Sequence, residues 1–135
     1  MYKKTFALFI TFVICLLIFL FSQQPGSESE KIASNFFIRK LGHFSEYAVL
    51  GFFSFAYLQN IFLKSITKSN FVKTAIISLV FCALYACSDE YHQTFIVGRY
   101  GNAFDVLIDS SGALIGIFVS SFLFYTFIVK KIKKW

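Results

Sequence analysis

Between residues 5 and 21 the chain runs for 17 residues without a charge, and three further apolar runs follow, each set off by a short polar stretch. At 1.5 Å per residue the first run makes a helix of about 25 Å, close to the thickness of a bilayer's hydrocarbon core. Twenty phenylalanines among 135 residues cannot be hidden inside a soluble domain of this size. Only 15% of residues are charged, against roughly 25% in soluble proteins. Lipid is the solvent that fits.

The expected fold is all-α: one domain, residues 1–135, forming an integral membrane bundle of four transmembrane helices at about 5–21, 43–63, 71–87 and 105–129. The first run has two readings, an uncleaved helix or a signal peptide. The helix is favoured because the exit Phe21-Ser22-Gln23-Gln24-Pro25 lacks the small-x-small pattern of a cleavage site. Residues 22–30 read as a polar connection with Pro25 and Gly26 as breakers. Residues 31–40 suit a short interfacial helix between the first and second spans, residues 64–70 a basic turn, and residues 130–135 a basic tail ending in Trp135. Cys15, Cys82 and Cys87 all fall in apolar runs and read as small buried thiols rather than as a disulfide or zinc framework.

Four spans place both termini on one side, and charge chooses the side. One side receives Lys3, Lys4, Lys64, Lys68, Lys73 and the four lysines of the tail, nine basic residues with no acid. The other receives Lys31, Arg39, Lys40 and Arg99 together with all seven acids. Both termini are therefore expected in the cytoplasm. The net charge of +6 flanks apolar runs instead of forming a patch, and no nucleic-acid motif appears, so no nucleic-acid partner is expected. Membrane lipid is the expected partner. No cofactor or oligomeric state can be read from the residues.

The polar residues gather in residues 88–116, which hold Asp89, Glu90, His92, Arg99, Asp105 and Asp109 between two hydrophobic runs. An ionised side chain in hydrocarbon costs about 3 kcal/mol on insertion scales, so these groups belong at the lipid boundary or inside protein. On the fourth span Asp105, Asp109, Gly112, Gly116 and Ser120 form one helical stripe whose small residues admit a neighbouring backbone. Ser78, Cys82, Tyr85, Asp89 and His92 line the third span similarly, and Arg39, His43, Glu46, Leu50 and Ser54 the second. Three helices thus aim acids and histidines at one outer region.

Several chemistries fit such a cluster. His43, Glu46, Asp89, Glu90, Asp105 and Asp109 are candidates for acid–base catalysis, with Arg39, His92, Gln93 and Arg99 as candidate substrate-binding groups for an anion such as a phosphate. The competing reading is a structural network in which Arg39, Lys40 and Arg99 neutralise the carboxylates. His43-x-x-Glu46 and Asp89-x-x-His92 resemble di-metal spacings, but one pair runs in reverse order and no metal site is expected. A proton or ion path would need acids deeper in the helices than any seen here.

Four segments, FSQQPGSES (21–29), RKLGHFSEYAVLG (39–51), SDEYHQTFIVGR (88–99) and DVLIDSSGALIG (105–116), together resemble the VanZ-like family of small multi-pass bacterial membrane proteins. Val97 stands where that family usually has proline before Gly-Arg. The resemblance implies a place in the bacterial cell membrane and a role at the envelope. The family's namesake is linked to low-level resistance to the glycopeptide teicoplanin, so an envelope intermediate or a glycopeptide is the implied partner. Its recurring motif residues correspond here to His43, Glu46, Asp89, Glu90, Gln93, Arg99, Asp105 and Asp109. Three function classes stay open: an envelope protein of that kind, a membrane enzyme modifying a lipid-linked or phosphate-bearing intermediate, and a structural or partner-binding protein.

Overall fold

The computed structural model describes residues 3–32, 34–63 and 67–132. Five α-helices follow one another: α1 (Lys4–Ser22), α2 (Gly26–Ile32), α3 (Phe36–Phe62), α4 (Lys68–Gln93) and α5 (Ala103–Ile132). No strand occurs among the described residues. Side-chain acceptors fix where three of the long helices begin. Asn35 accepts from the Phe37 N–H at 2.8 Å, Thr67 from Asn70 at 3.2 Å and Asn102 from Phe104 at 3.0 Å, each relieving a donor that a helix start leaves unpaired.

Three boundaries differ from expectation. The short helix lies at Gly26–Ile32 rather than at 31–40, and Phe36 to Lys40 are the opening turns of α3. The break expected at Pro25 and Gly26 is present, since α1 ends at Ser22 and a new helix starts at Gly26. The Pro25 carbonyl accepts from Glu28 and Ser29, each at 3.0 Å, and proline just ahead of a first turn forfeits no hydrogen bond. The polar residues Ser88 to Gln93 likewise continue α4 instead of leaving it. The expected basic turn falls partly at 64–66, outside the described residues, as do residues 133–135 of the tail.

α3 and α4 each pack against the other three long helices, whereas α1 and α5 do not meet. The core joins Ile18, Tyr47, Leu50, Cys82, Ala86 and Ala113. The closest seam is between α3 and α5. A Cβ on Gly112 would run into the Phe44 backbone, and one on Gly116 into the Ala48 carbonyl oxygen. Small residues are what let these two backbones touch. Asp109, Gly112, Gly116 and Ser120 are all buried, as the stripe requires, and Asp105 is half-buried.

The outward faces are strongly apolar: Phe12 on α1 is 66% exposed, Leu84 on α4 65% and Phe118 on α5 68%. Such surface needs a nonaqueous surround. Among the described residues three helices are long and apolar enough to cross a membrane: Lys4–Ser22, Lys68–Gln93 and Ala103–Ile128. α3 is about 40 Å long but less apolar, with Arg39, Lys40, His43, Glu46, Gln59 and Asn60 along it. Its position explains this, because Tyr47, Leu50, Ser54, Phe55 and Gln59 are turned into protein. Of the three thiols, all free, Cys82 is buried and Cys15 half-buried, but Cys87 is exposed, against expectation, on a face of α4 that no helix covers.

Candidate functional site at the polar end of the bundle

The C-terminal ends of α1 and α4 and the N-terminal ends of α3 and α5 meet at one end of the bundle, closed over by α2 and the loop 94–102. Gly26 and Gly98 bring the two connections into backbone contact. Gly98 has φ +74°, which favours glycine, and the Gly26 N–H donates to the Val97 carbonyl at 3.0 Å. These contacts hold the loop without the proline that Val97 replaces.

Arg99 fastens this loop to α1. Its Nε donates to the Gln24 carbonyl at 3.1 Å, Nη2 to the Phe21 carbonyl at 3.0 Å and Nη1 to Gln93 Oε1 at 3.5 Å. Carbonyls at a helix C-terminus lack intrahelical partners and attract a cation. Burial pulls the guanidinium below its usual pKa, and the nearby Asp89 carboxylate pulls it back up. Gln93, buried, donates from Nε2 to Asp89 Oδ2 at 3.3 Å and to Ser22 Oγ at 3.4 Å. It works as an inner connector. Glu90, also buried, accepts from the Asn102 N–H at 2.9 Å and anchors the start of α5.

Lys40 forms an ion pair with Asp105, the one part of the expected charge network that appears as drawn. Neither Arg39 nor Arg99 has a carboxylate within 4.0 Å among the described residues. Two clefts of about 330 and 320 Å³ adjoin here, and Ser29, Arg39, His43 and Arg99 line both. Lys40 and Asp105 border the first, Glu46 the second. His92 stands apart from them. Its ring lies 5.1 Å from that of Phe19, and with Asp89 it lines a separate cavity of about 280 Å³ beside α1. Its place one residue short of Gln93 turns it off the inward stripe of Ser78, Cys82, Asp89 and Gln93.

Beneath the clefts His43 Nδ1 faces Asp109 Oδ1 at 3.9 Å. Asp109 is fully buried, and neither of its oxygens has a hydrogen-bond partner among the described residues. An ionised carboxylate left so costs several kcal/mol, which makes this the most demanding position in the bundle. One donor atom each from His43, Asp89 and Asp109 lies within 4.8 Å of the others. The i, i+3 pairs within single helices are not what meets; Asp109 takes the place of Glu46 and His92. Sequence reasoning passed over Ser22, Gln24 and Ser29, although all three lie in the FSQQPGSES segment that marked the first connection.

A helical bundle with apolar outer faces, three helices long and apolar enough to cross a membrane and one polar, charged end has the make-up of a small membrane protein. The chain matches the family model described as VanZ/LLP1 over residues 6–125, and it belongs to that family. No curated protein and no solved structure matches it.

Proposed function

We propose that the protein sits in the bacterial cell membrane as a four-span bundle, α3 being the second span, with both termini in the cytoplasm and the polar end outside. There it binds the phosphate-bearing head group of an envelope intermediate. One observation carries the binding reading: Arg39 and Arg99 line a shared cleft at the lipid boundary with no carboxylate in ion-pair range. A guanidinium fork matches phosphate oxygens, and Glu30, Asp105 and Glu46, which also line the clefts, stay outside ion-pair range of both arginines. His43 and Glu46 at the cleft wall would act on the bound group by proton transfer, and the 3.9 Å approach of His43 to Asp109 favours this enzyme reading as the second one. Tolerance to teicoplanin is the family-level element of the proposal.

The binding test uses purified protein in detergent, a polyprenyl phosphate and the matching alcohol. The phosphate is expected to bind at least tenfold more tightly, and Arg39→Gln to erase that preference with unchanged thermal stability, since Arg39 makes no ion pair. Equal affinity for phosphate and alcohol in the wild type would refute the reading. Tolerance is read as the minimal inhibitory concentration of teicoplanin with and without the gene. For orientation, reporter fusions after Asn70 and after Trp135 are expected to report cytoplasm and one near Tyr100 the exterior. An external signal at Asn70 would turn the site to the cytoplasm.

A further inference from the structure

His43, Asp89 and Asp109 stand on α3, α4 and α5, and their donor atoms lie within 4.8 Å of one another. Two ligands bonding one ion from opposite sides at about 2.0–2.2 Å are about 4 Å apart. Small side-chain rotations would therefore close the three on a single ion. A cluster of acids alone proves nothing, but here the polar atoms are also orphaned. Asp109 is 0% exposed with both oxygens unpartnered among the described residues, and His43 Nδ1, aimed at it, is buried and unpartnered as well. Buried polar groups in folded proteins are paired in roughly nine cases of ten. Two orphans facing each other beside a third donor make the pattern that a cation completes.

We propose that His43, Asp89 and Asp109 bind a divalent transition cation, Zn²⁺ or Mn²⁺. The donor set is one imidazole nitrogen with carboxylate oxygens from two residues, and the two negative charges match the ion's two positive ones. Imidazole selects against Ca²⁺ and Mg²⁺, which take oxygen ligands, and Ca²⁺ would need six to eight of them. Gln93 donates to Asp89 Oδ2 at 3.3 Å, and Ser22 also hydrogen-bonds this carboxylate, which orients it. Access runs past His43, whose side chain is 23% exposed and lines both clefts. Such an ion would tie three helices together directly beneath the arginine-lined cleft.

The test needs no lipid ligand, so it stands or falls apart from the phosphate reading. Purified protein is stripped with a chelator, exchanged into chelator-free detergent buffer and titrated with Zn²⁺ or Mn²⁺ by calorimetry, with the Mn²⁺ paramagnetic resonance signal as a second readout. One equivalent is expected to bind, raising the melting temperature. Asp109→Asn and His43→Gln should each weaken binding at least tenfold. His92→Gln, which removes the imidazole at this end that faces Phe19, should bind as wild type does. Melting curves of the stripped variants establish that each is folded. Wild type binding neither ion, or binding it no better than a folded Asp109→Asn variant, would overturn the proposal.

Discussion

Gly116→Leu is expected to leave little folded protein. A Cβ at this position would overlap the Ala48 carbonyl oxygen, a backbone atom on α3 that cannot rotate aside. Extra methylenes in a packed interior cost about 1–3 kcal/mol when side chains can adjust. Here two helix backbones must separate along the closest seam of the bundle, so the loss should exceed that range and approach the whole stability of a small domain. The check is monodisperse yield and melting temperature in detergent. Two controls come from the same helices. Phe118→Leu, on an outward face at 68% exposure, should behave as wild type. Gly42→Ala on α3 meets nothing within 4 Å and should be neutral or slightly stabilising, because alanine is the better helix former. Equal yields for Gly116→Leu and wild type would mean that the seam does not pack as described.

Glu46→Gln and Asp89→Asn are expected to fold and to lose function. The swaps keep shape while removing the charge and the proton-accepting carboxylate. Had Arg39 or Arg99 been paired with these acids, each swap would have stranded a buried cation at a cost of about 3–5 kcal/mol. Neither is so paired: Arg99 rests on the Phe21 and Gln24 carbonyls, and Arg39 has no carboxylate within 4.0 Å among the described residues. Stability of the chelator-stripped protein should therefore stay near wild type while any teicoplanin tolerance vanishes. His43→Gln completes the series, since an amide cannot replace a proton-shuttling or ion-binding imidazole. Asp105→Asn provides the contrast, because it leaves half-buried Lys40 without its partner and should lower both yield and melting temperature. Folded Glu46→Gln and Asp89→Asn variants with full function would remove these residues from the site. Variants that unfold would transfer them to the scaffold.

The long helices and their inward faces could be read from residue order because burial follows the 3.6-residue period. Asp109, Gly112, Gly116 and Ser120 are buried together on α5, and Ser78, Cys82 and Asp89 on α4. Element ends were less legible. Polar runs such as Ser88 to Gln93 look like loops when hydropathy is the only guide, yet a helix gains its backbone bonds whatever its side chains meet. Pro25 and Gly26 signal a turn and a helix start equally well. The partners of Arg99 were out of reach for another reason: two are main-chain carbonyls, which every residue carries and no sequence pattern marks. The meeting of His43, Asp89 and Asp109 depends on how three helices are rotated against one another, which spacing within a single helix does not determine.

The grip of Arg99 on α1 also sets an order in time. A ribosome delivers the Phe21 and Gln24 carbonyls early, but their guanidinium arrives only 78 and 75 residues later. Gly26 likewise waits for Gly98, 72 residues further on. Until then the end of α1 has only its local backbone bonds, Gln23 N–H to the Phe19 carbonyl and Gln24 N–H to the Phe21 carbonyl. The cleft can be complete only after the loop 94–102 has met the beginning of the chain and Asp105 of α5 has followed it.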